Sequence, residues 1–237
     1  MEVASLYREP EAPTERTAPA LEMLDVFRIF SNGPVETVAL RGLSMEVARG
    51  EIATVMGPSG SGKSTFLHLA AGLDVPSAGE VRSFGQPLGR LDEDDLARYR
   101  SQRIAIIFQS ANLWPVLTAQ ENLETSLRLS GADDIRRRAT EALAAFGLAE
   151  RADHRVSALS GGEQQRVAIA GAAARQAPLV LADEPTGELD AGNEQTVLDA
   201  LRRLRDDHGA TVVIVTHSPR LASAADRVIE LRDGRTA

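Results

Sequence analysis

The run Gly57-Pro58-Ser59-Gly60-Ser61-Gly62-Lys63-Ser64 constrains this chain more than any other, because it fits the pattern G-x-x-x-x-G-K-[ST]. Residues 52–56 before it are apolar and predict a short buried strand. Residues 63–71 after it predict a helix that Gly72 ends. A strand, a glycine-rich turn and a helix in that order belong to an α/β architecture. The glycines let the backbone curl around an anion, with N–H groups and the helix N-terminus facing it. Lys63 then reaches the β- and γ-phosphates of a nucleotide, and the Ser64 hydroxyl is placed to bind Mg2+. The same run also suits a plain glycine turn, but the flanking strand and helix are the context a phosphate loop requires.

A second informative run is Leu179-Val180-Leu181-Ala182-Asp183-Glu184, four apolar residues followed by two carboxylates. A buried parallel strand reads this way, and carboxylates at its C-terminal end lie where α/β sheets bind ligands. Asp183 is the candidate for the Mg2+ shell and Glu184 for the group that polarises an attacking water. Taken alone, such a pair also suits a solvated turn before Pro185.

The remaining pattern alternates strands and helices. Strands are expected at 21–30 and 35–47 around a turn at 31–34, then at 81–84, 104–108, 179–182, 211–215 and 228–231. Helices are expected at 92–100, 118–129, 133–146, 163–175, 193–207 and 219–224. The helices at 118 and 133 start on Thr or Asp, which can cap free N–H groups. The stretch 110–159 reads as helical only and predicts a lobe apart from the sheet. The expected organisation is a tail at 1–20 and one domain at 21–237. Within that domain a core at 21–109 and 165–237 carries an inserted helical subdomain at about 110–164, and the sheet is mainly parallel with an antiparallel β-subdomain at its N-terminal end.

Bulk properties narrow the function. The chain has 237 residues and a formal net charge of -8, which argues against a nucleic-acid partner. It has no Cys, so disulfides and thiolate metal sites are excluded. The apolar stretches 104–108 and 211–215 are far too short to cross a bilayer. The first 20 residues are rich in Pro, Glu, Thr and Ala; they read as a disordered tail rather than a signal peptide or anchor. The chain is expected to be soluble and cytoplasmic, with any membrane role supplied by a partner.

Between the two phosphate-site motifs lies Leu159-Ser160-Gly161-Gly162-Glu163-Gln164. With it, residues 21–235 resemble the ATP-binding-cassette (ABC) ATPases, whose signature motif this is. The resemblance implies a P-loop NTPase fold, ATP and Mg2+ as ligands, and a homodimer packed head to tail. Each ATP is then held between one chain's phosphate loop, Thr65 included, and the other chain's signature. Ser160, Gly161, Gly162 and Gln164 are implied contacts to that second nucleotide. Phe108-Gln109 is similar to the family's Q-loop, which implies that Gln109 touches Mg2+ and the attacking water. Leu189-Asp190 is similar to the D-loop, and His217 after strand 211–215 to the switch histidine that reads the γ-phosphate. Phe30 is similar to the aromatic that stacks on adenine, although Phe27 lies close by and either ring also suits the core. Glu188 stands where Asn or Ser is common in the family, and Ser218 where many relatives have Asp. No catalytic group is missing, so an active ATPase is implied.

Three stretches point to a branch: Ala71-Gly72-Leu73-Asp74 before Pro76-Ser77-Ala78-Gly79, residues 112–122 after the Q-loop, and Pro185-Thr186-Gly187-Glu188-Leu189-Asp190. Together they resemble ATPases of lipoprotein-releasing and macrolide-exporting systems, with antimicrobial-peptide transporters and the cell-division ABC ATPase as near relatives. The implied partner is an integral-membrane, four-helix permease with an extracytoplasmic domain, which places the ATPase on the cytoplasmic face of the membrane. A short helix of that permease is implied to dock beside the Q-loop, on a groove that includes residues 111–118. Trp114 either contacts it or packs within the helical lobe. A regulatory ATPase that signals through a permease and a soluble non-transport ABC ATPase are the alternative readings.

Overall fold

The computed structural model describes residues 18–33, 35–187 and 189–237. The tail expected at 1–20 thus lies outside the described residues as far as 17. Ala18 and Ala20 belong to the fold: both are buried, and the Ala20 N–H donates to the Val47 carbonyl while its own carbonyl accepts from Phe84.

In chain order the elements are β1 (Leu21–Asn32), β2 (Val35–Val47), β3 (Ile52–Met56), α1 (Lys63–Ala70), β4 (Ala78–Ser83), β5 (Gln86–Pro87), α2 (Glu93–Arg103) and β6 (Ile104–Ile107). They continue with α3 (Ala119–Leu129), α4 (Ile135–Ala145), α5 (Gly161–Arg175), β7 (Leu179–Asp183), α6 (Ala191–His208), β8 (Thr211–Val215), α7 (Pro219–Ser223), β9 (Arg227–Arg232) and β10 (Arg235–Thr236). Strands β2-β1-β4-β5 form an antiparallel sheet. The second sheet runs β10-β9-β3-β8-β7-β6 and is parallel except for the final pair, β10 on β9. The short pieces β5 and β10 are absent from the sequence reading, because two residues leave no periodic signal.

The parallel strands explain the layering. Side chains along a strand point alternately to opposite faces. In β7, Leu179 and Leu181 enter one core while Val180 and Ala182 enter the other; in β8, Val213 and Val215 part from Val212 and Ile214 in the same way. One core lies between the large sheet, α1 and the antiparallel sheet. The other joins the sheet to α5, α6 and the helical lobe. A strand buried on both faces is apolar at most positions, which is why these runs show no polar alternation; Thr54 and Thr211 are buried exceptions.

The lobe begins as expected and then departs in detail. Thr118 caps α3 and shares a capping box with Glu121. Asp134, by contrast, lies in the left-handed region at φ 54° and makes no side-chain cap; its carboxylate pairs with Arg137 at 2.8 Å, so α4 starts at Ile135 rather than 133. The segment 110–159 is also not purely helical, because Thr118 and Arg155 form an antiparallel bridge. Helix α5 crosses from lobe to core without a break.

Gly171 sits inside α5, where a Cβ meets only Leu123 Cδ1, at 4.0 Å. Glycine in a helix interior costs about 1 kcal/mol against alanine. Gly171→Ala is therefore expected to stabilise the protein by roughly 0.5–1 kcal/mol, read as a rise of about 1–4 °C in melting temperature. A fall would mean that the neighbouring helices cannot accept one methyl group.

Candidate functional site

Strand β3 occupies the middle of the large sheet and delivers the loop 57–64 to its C-terminal edge. The loop geometry demands glycine at particular places. Gly62 has φ 102°, and a Cβ there meets the Ala39 carbonyl of β2 at 2.6 Å; at Gly57 a Cβ meets the Leu231 carbonyl at 2.2 Å. Gly62 also precedes α1 without any side-chain cap, so the first N–H groups of that helix face the loop. The Ser61 hydroxyl is buried and lacks a partner. Lys63 Nζ donates to the Gly57 carbonyl at 2.7 Å and the Pro58 carbonyl at 2.9 Å. The loop opens on a cleft of about 610 Å³ that also receives Ser64, Thr65, Gln109, Asp183, Glu184 and His217. This cradle of free N–H groups with one cation fits the phosphates of a nucleotide.

Strand β7 lies two places from β3 and ends in the paired carboxylates. Asp183 stands opposite Val215 of β8 in the parallel register. Burial pushes its carboxyl above the usual range, Glu184 adds to this, and His68 and Lys63 oppose it. Glu184 follows at φ 44°, a strained position for a non-glycine residue. Its N–H still donates to the Val215 carbonyl at 2.8 Å. The carboxylate is tied on both oxygens: Thr216 Oγ1 donates to Oε2 at 2.9 Å, and His217 Nδ1 lies 2.7 Å from Oε1. Glu184 is mostly enclosed while the His217 side chain is 74 % exposed. One end of the pair is thus fixed and the other free to meet a ligand.

Gln109 follows β6 and lines the same cleft. Its backbone is held by Gln165 of α5, whose amide donates to the Phe108 carbonyl at 3.0 Å and the Gln109 carbonyl at 2.6 Å. Phe30 is 41 % exposed, with the Arg28 guanidinium 4.4 Å from the centre of its ring. It pairs across the hairpin with Thr37, which lines the cleft. Directly opposed residues share a face, so Phe30 stands beside the cleft, whereas Phe27 is partly covered and lies against Gly42.

The signature run opens α5. Ser160 caps the helix in a capping box with Glu163, and Arg151 donates to Glu163 at 2.7 Å. The Arg151 bond and the Ser160 N–H hold the Glu163 carboxyl down at about 2. Its ionised form is the bound one, so this support is complete above about 4.5 and is lost as pH falls toward 2. Glu163→Gln is expected to flatten the acid limb of the stability curve over that window, measured as melting temperature against pH; an unchanged limb would remove Glu163 from the account. Gly162 is buried, and a Cβ there meets Asn193 Oδ1 at 2.6 Å. The Gln164 amide turns inward to the Val156 and Leu159 carbonyls. Ser160 and Gly161 remain exposed. None of the residues from Ser160 to Gln164 lines the cleft of the phosphate loop.

Asp190 caps α6, accepting from the N–H groups of Gly192 and Asn193 and from the Asn193 amide. These bonds lower its carboxyl below the usual range. Glu188 lies outside the described residues. Trp114 is pinned through its backbone, with Asn122 Oδ1 accepting from its N–H at 2.8 Å, while the residue is 47 % exposed. Beside it, two adjoining grooves of about 200 and 430 Å³ share Ile106, Asn112, Ser126, Leu129 and Arg175. Among the described residues no helix is long and apolar enough to cross a membrane.

Sequence reasoning missed Thr216, Gln165 and the pairing of Ser160 with Glu163. Thr216 and Gln165 gave no local signal, since their roles depend on which strands and helices become neighbours. The Ser160-x-x-Glu163 capping box was readable as a pattern. Backbone of residues 37–39 also walls the cleft, and nothing in those residue types announces it.

A glycine loop at the end of a central parallel strand, with paired carboxylates at the end of the next strand but one, defines a P-loop NTPase. Residues 40–187 match the ABC transporter family, and the chain belongs to it as an ATP-hydrolysing cassette. It is 44% identical over 217 residues to an uncharacterized ABC transporter ATP-binding protein of Thermotoga maritima, covering 91% of this chain and 92% of that one. It is 41% identical over 220 residues to the macrolide export ATP-binding/permease protein MacB of Brucella melitensis, covering 92% of this chain. The match spans about a third, 34%, of that relative's length. The solved dimeric, post-hydrolysis structure of an ATP-binding cassette bound to ADP and Pi superposes with a TM-score of 0.83 at 39% identity, covering 91% of this chain and 96% of that one.

Proposed function

We propose that two copies of this chain close around ATP and hydrolyse it to drive a separate membrane permease of the lipoprotein-release or macrolide-export type. The observation that carries the reading is the separation of the two anion-binding elements. The phosphate loop and the signature helix belong to one chain, yet the signature lines no part of that chain's cleft. Its exposed face, Ser160 and Gly161 at the start of α5, is free to meet a nucleotide held by a second copy.

In this reading Lys63 and the N–H groups of residues 57–65 hold the phosphates, and Phe30 offers its ring to the base. Glu184 accepts the proton of the attacking water. Thr216 fixes the carboxylate, and His217 senses the γ-phosphate from its exposed position. Ser64, Gln109 and Asp183 would hold Mg2+, which when bound offsets phosphate charge. The raised Asp183 carboxyl suits that role, because a bound cation would offset the burial of its charge and, in smaller part, the like charge of Glu184 beside it. ATP favours the closed dimer, and loss of the γ-phosphate lets it open.

The half-exposed Trp114 and the grooves beside it suit the docking of a short permease helix, since Trp is enriched where interfaces carry their energy. The ATPase would then sit at the cytoplasmic face of the membrane through that partner. A tagged Glu184→Gln variant, incubated with ATP and detergent-solubilised membranes of the source cell, is expected to recover a four-helix permease by mass spectrometry. Recovery of soluble proteins alone would sink the transporter reading.

A further inference from the structure

The hydrogen bonds around Glu184 continue beyond the residues assigned to hydrolysis. Thr216 Oγ1, which donates to Glu184 Oε2, accepts from the Ser218 N–H at 3.0 Å. The Ser218 hydroxyl in turn donates to Glu194 Oε1 at 2.7 Å. Glu194 lies in the first turn of α6, its N–H donating to the Asp190 carbonyl at 2.9 Å. Its other oxygen pairs with Arg220 at 3.1 Å, and its side chain is only 15% exposed. A continuous path therefore runs from the start of α6, where Asp190 is the cap, through Ser218 and Thr216 to the carboxylate of Glu184.

We propose that Ser218 and Glu194 are a pair of positioning residues that lock the backbone carrying Thr216 and His217 to the first turn of α6. A shift at either residue then reaches the Glu184 carboxylate through Thr216. The inference rests on Glu184 as the base, but it concerns residues that touch neither nucleotide nor metal. The lock depends on a hydroxyl at 218. With Glu194 across from it, an aspartate at 218 would set two carboxylates against each other, at a site where, among the described residues, the ion pair with Glu194 comes from Arg220, itself 52 % exposed. The pairing requires one donor, and the Ser218 hydroxyl is that donor.

The test is a swap. Ser218→Asp keeps a good cap for α7, because Asp and Ser cap helices about equally well, so loss of the cap is not the effect measured. Ser218→Asp is expected to lower kcat for ATP hydrolysis about tenfold with KM within about twofold, a coupling of the size seen between network neighbours. Adding Glu194→Gln restores the donor from the other side, and the double variant is expected to recover most of kcat. Melting temperatures are recorded for the wild type, the single variant and the double variant. Wild-type kcat in Ser218→Asp overturns the proposal, as does a double variant no faster than the single one. Failure of the base assignment is seen separately, as normal turnover by Glu184→Gln, and does not mimic either result.

Discussion

Glu184→Gln is expected to bind ATP, form a dimer and lose hydrolysis by about 10²- to 10⁴-fold, the range that a positioned general base contributes. Gln keeps the size of the side chain. Its carbonyl oxygen can still accept from Thr216 Oγ1 and the His217 N–H, which now converge on Oε2. Its amide NH2 takes the place of Oε1 beside His217 Nδ1, which then accepts rather than donates, so the heavy atoms need no adjustment. What disappears is the proton acceptor and one negative charge. That charge is one of two causes that raise the Asp183 carboxyl, burial being the larger. An acid held high in the folded state favours folding at low pH and loses that contribution as pH rises through its raised value. With Glu184 neutral, Asp183 titrates lower and the penalty near neutrality shrinks. The cleft also carries less charge against the γ-phosphate, so the ATP-bound dimer should outlast that of the wild type. Gel filtration with ATP reads the dimer, and phosphate release reads turnover. Normal turnover would remove Glu184 as the base; failure to dimerise would mean that the carboxylate serves closure rather than the water.

The parts of this arrangement that were legible beforehand share a physical reason. Strands β3 and β8 were bounded correctly because each is an apolar run entering turn chemistry, Gly57 in one case and Thr216-His217 before Pro219 in the other. The phosphate loop was legible because backbone approach demands glycine at fixed offsets. Helix starts were legible only in part. Thr118 caps α3, but Asp134 binds Arg137 instead of the backbone, and no local rule distinguishes the two choices. The ties that orient the site were not legible at all. Thr216 reaches Glu184 because β7 and β8 pair in the register that sets Asp183 beside Val215. Ser218 reaches Glu194 because α6 starts at the sheet edge where β8 ends. Residue types name what chemistry a site can do; the register of the sheet decides which side chains hold it still.

Lys63→Ala is expected to weaken ATP binding itself by about 100-fold, since a hydrogen bond between charged groups is worth about 1.5–3 kcal/mol and Lys63 serves two phosphates. The fold should survive. The amine now satisfies two loop carbonyls, those of Gly57 and Pro58, which face an open cleft and regain water when it is removed. Gly62 still leaves the first turn of α1 uncapped, so part of the phosphate site remains and residual affinity is expected. Lys63 is the chain's only lysine, every other of its 26 Lys and Arg residues being Arg. An amine reagent such as pyridoxal phosphate with borohydride therefore reports on one side chain plus the N-terminus. ATP should protect the wild type from that labelling at Lys63 and leave the N-terminus open. Unchanged ATP affinity in Lys63→Ala, or labelling of Lys63 indifferent to ATP, would count against the phosphate-loop role. The contrast with Glu184→Gln is the stronger test. One variant should fail before dimerisation and the other after it, so a shared defect would mean that binding and hydrolysis are not divided between β3 and β7 as their geometry requires.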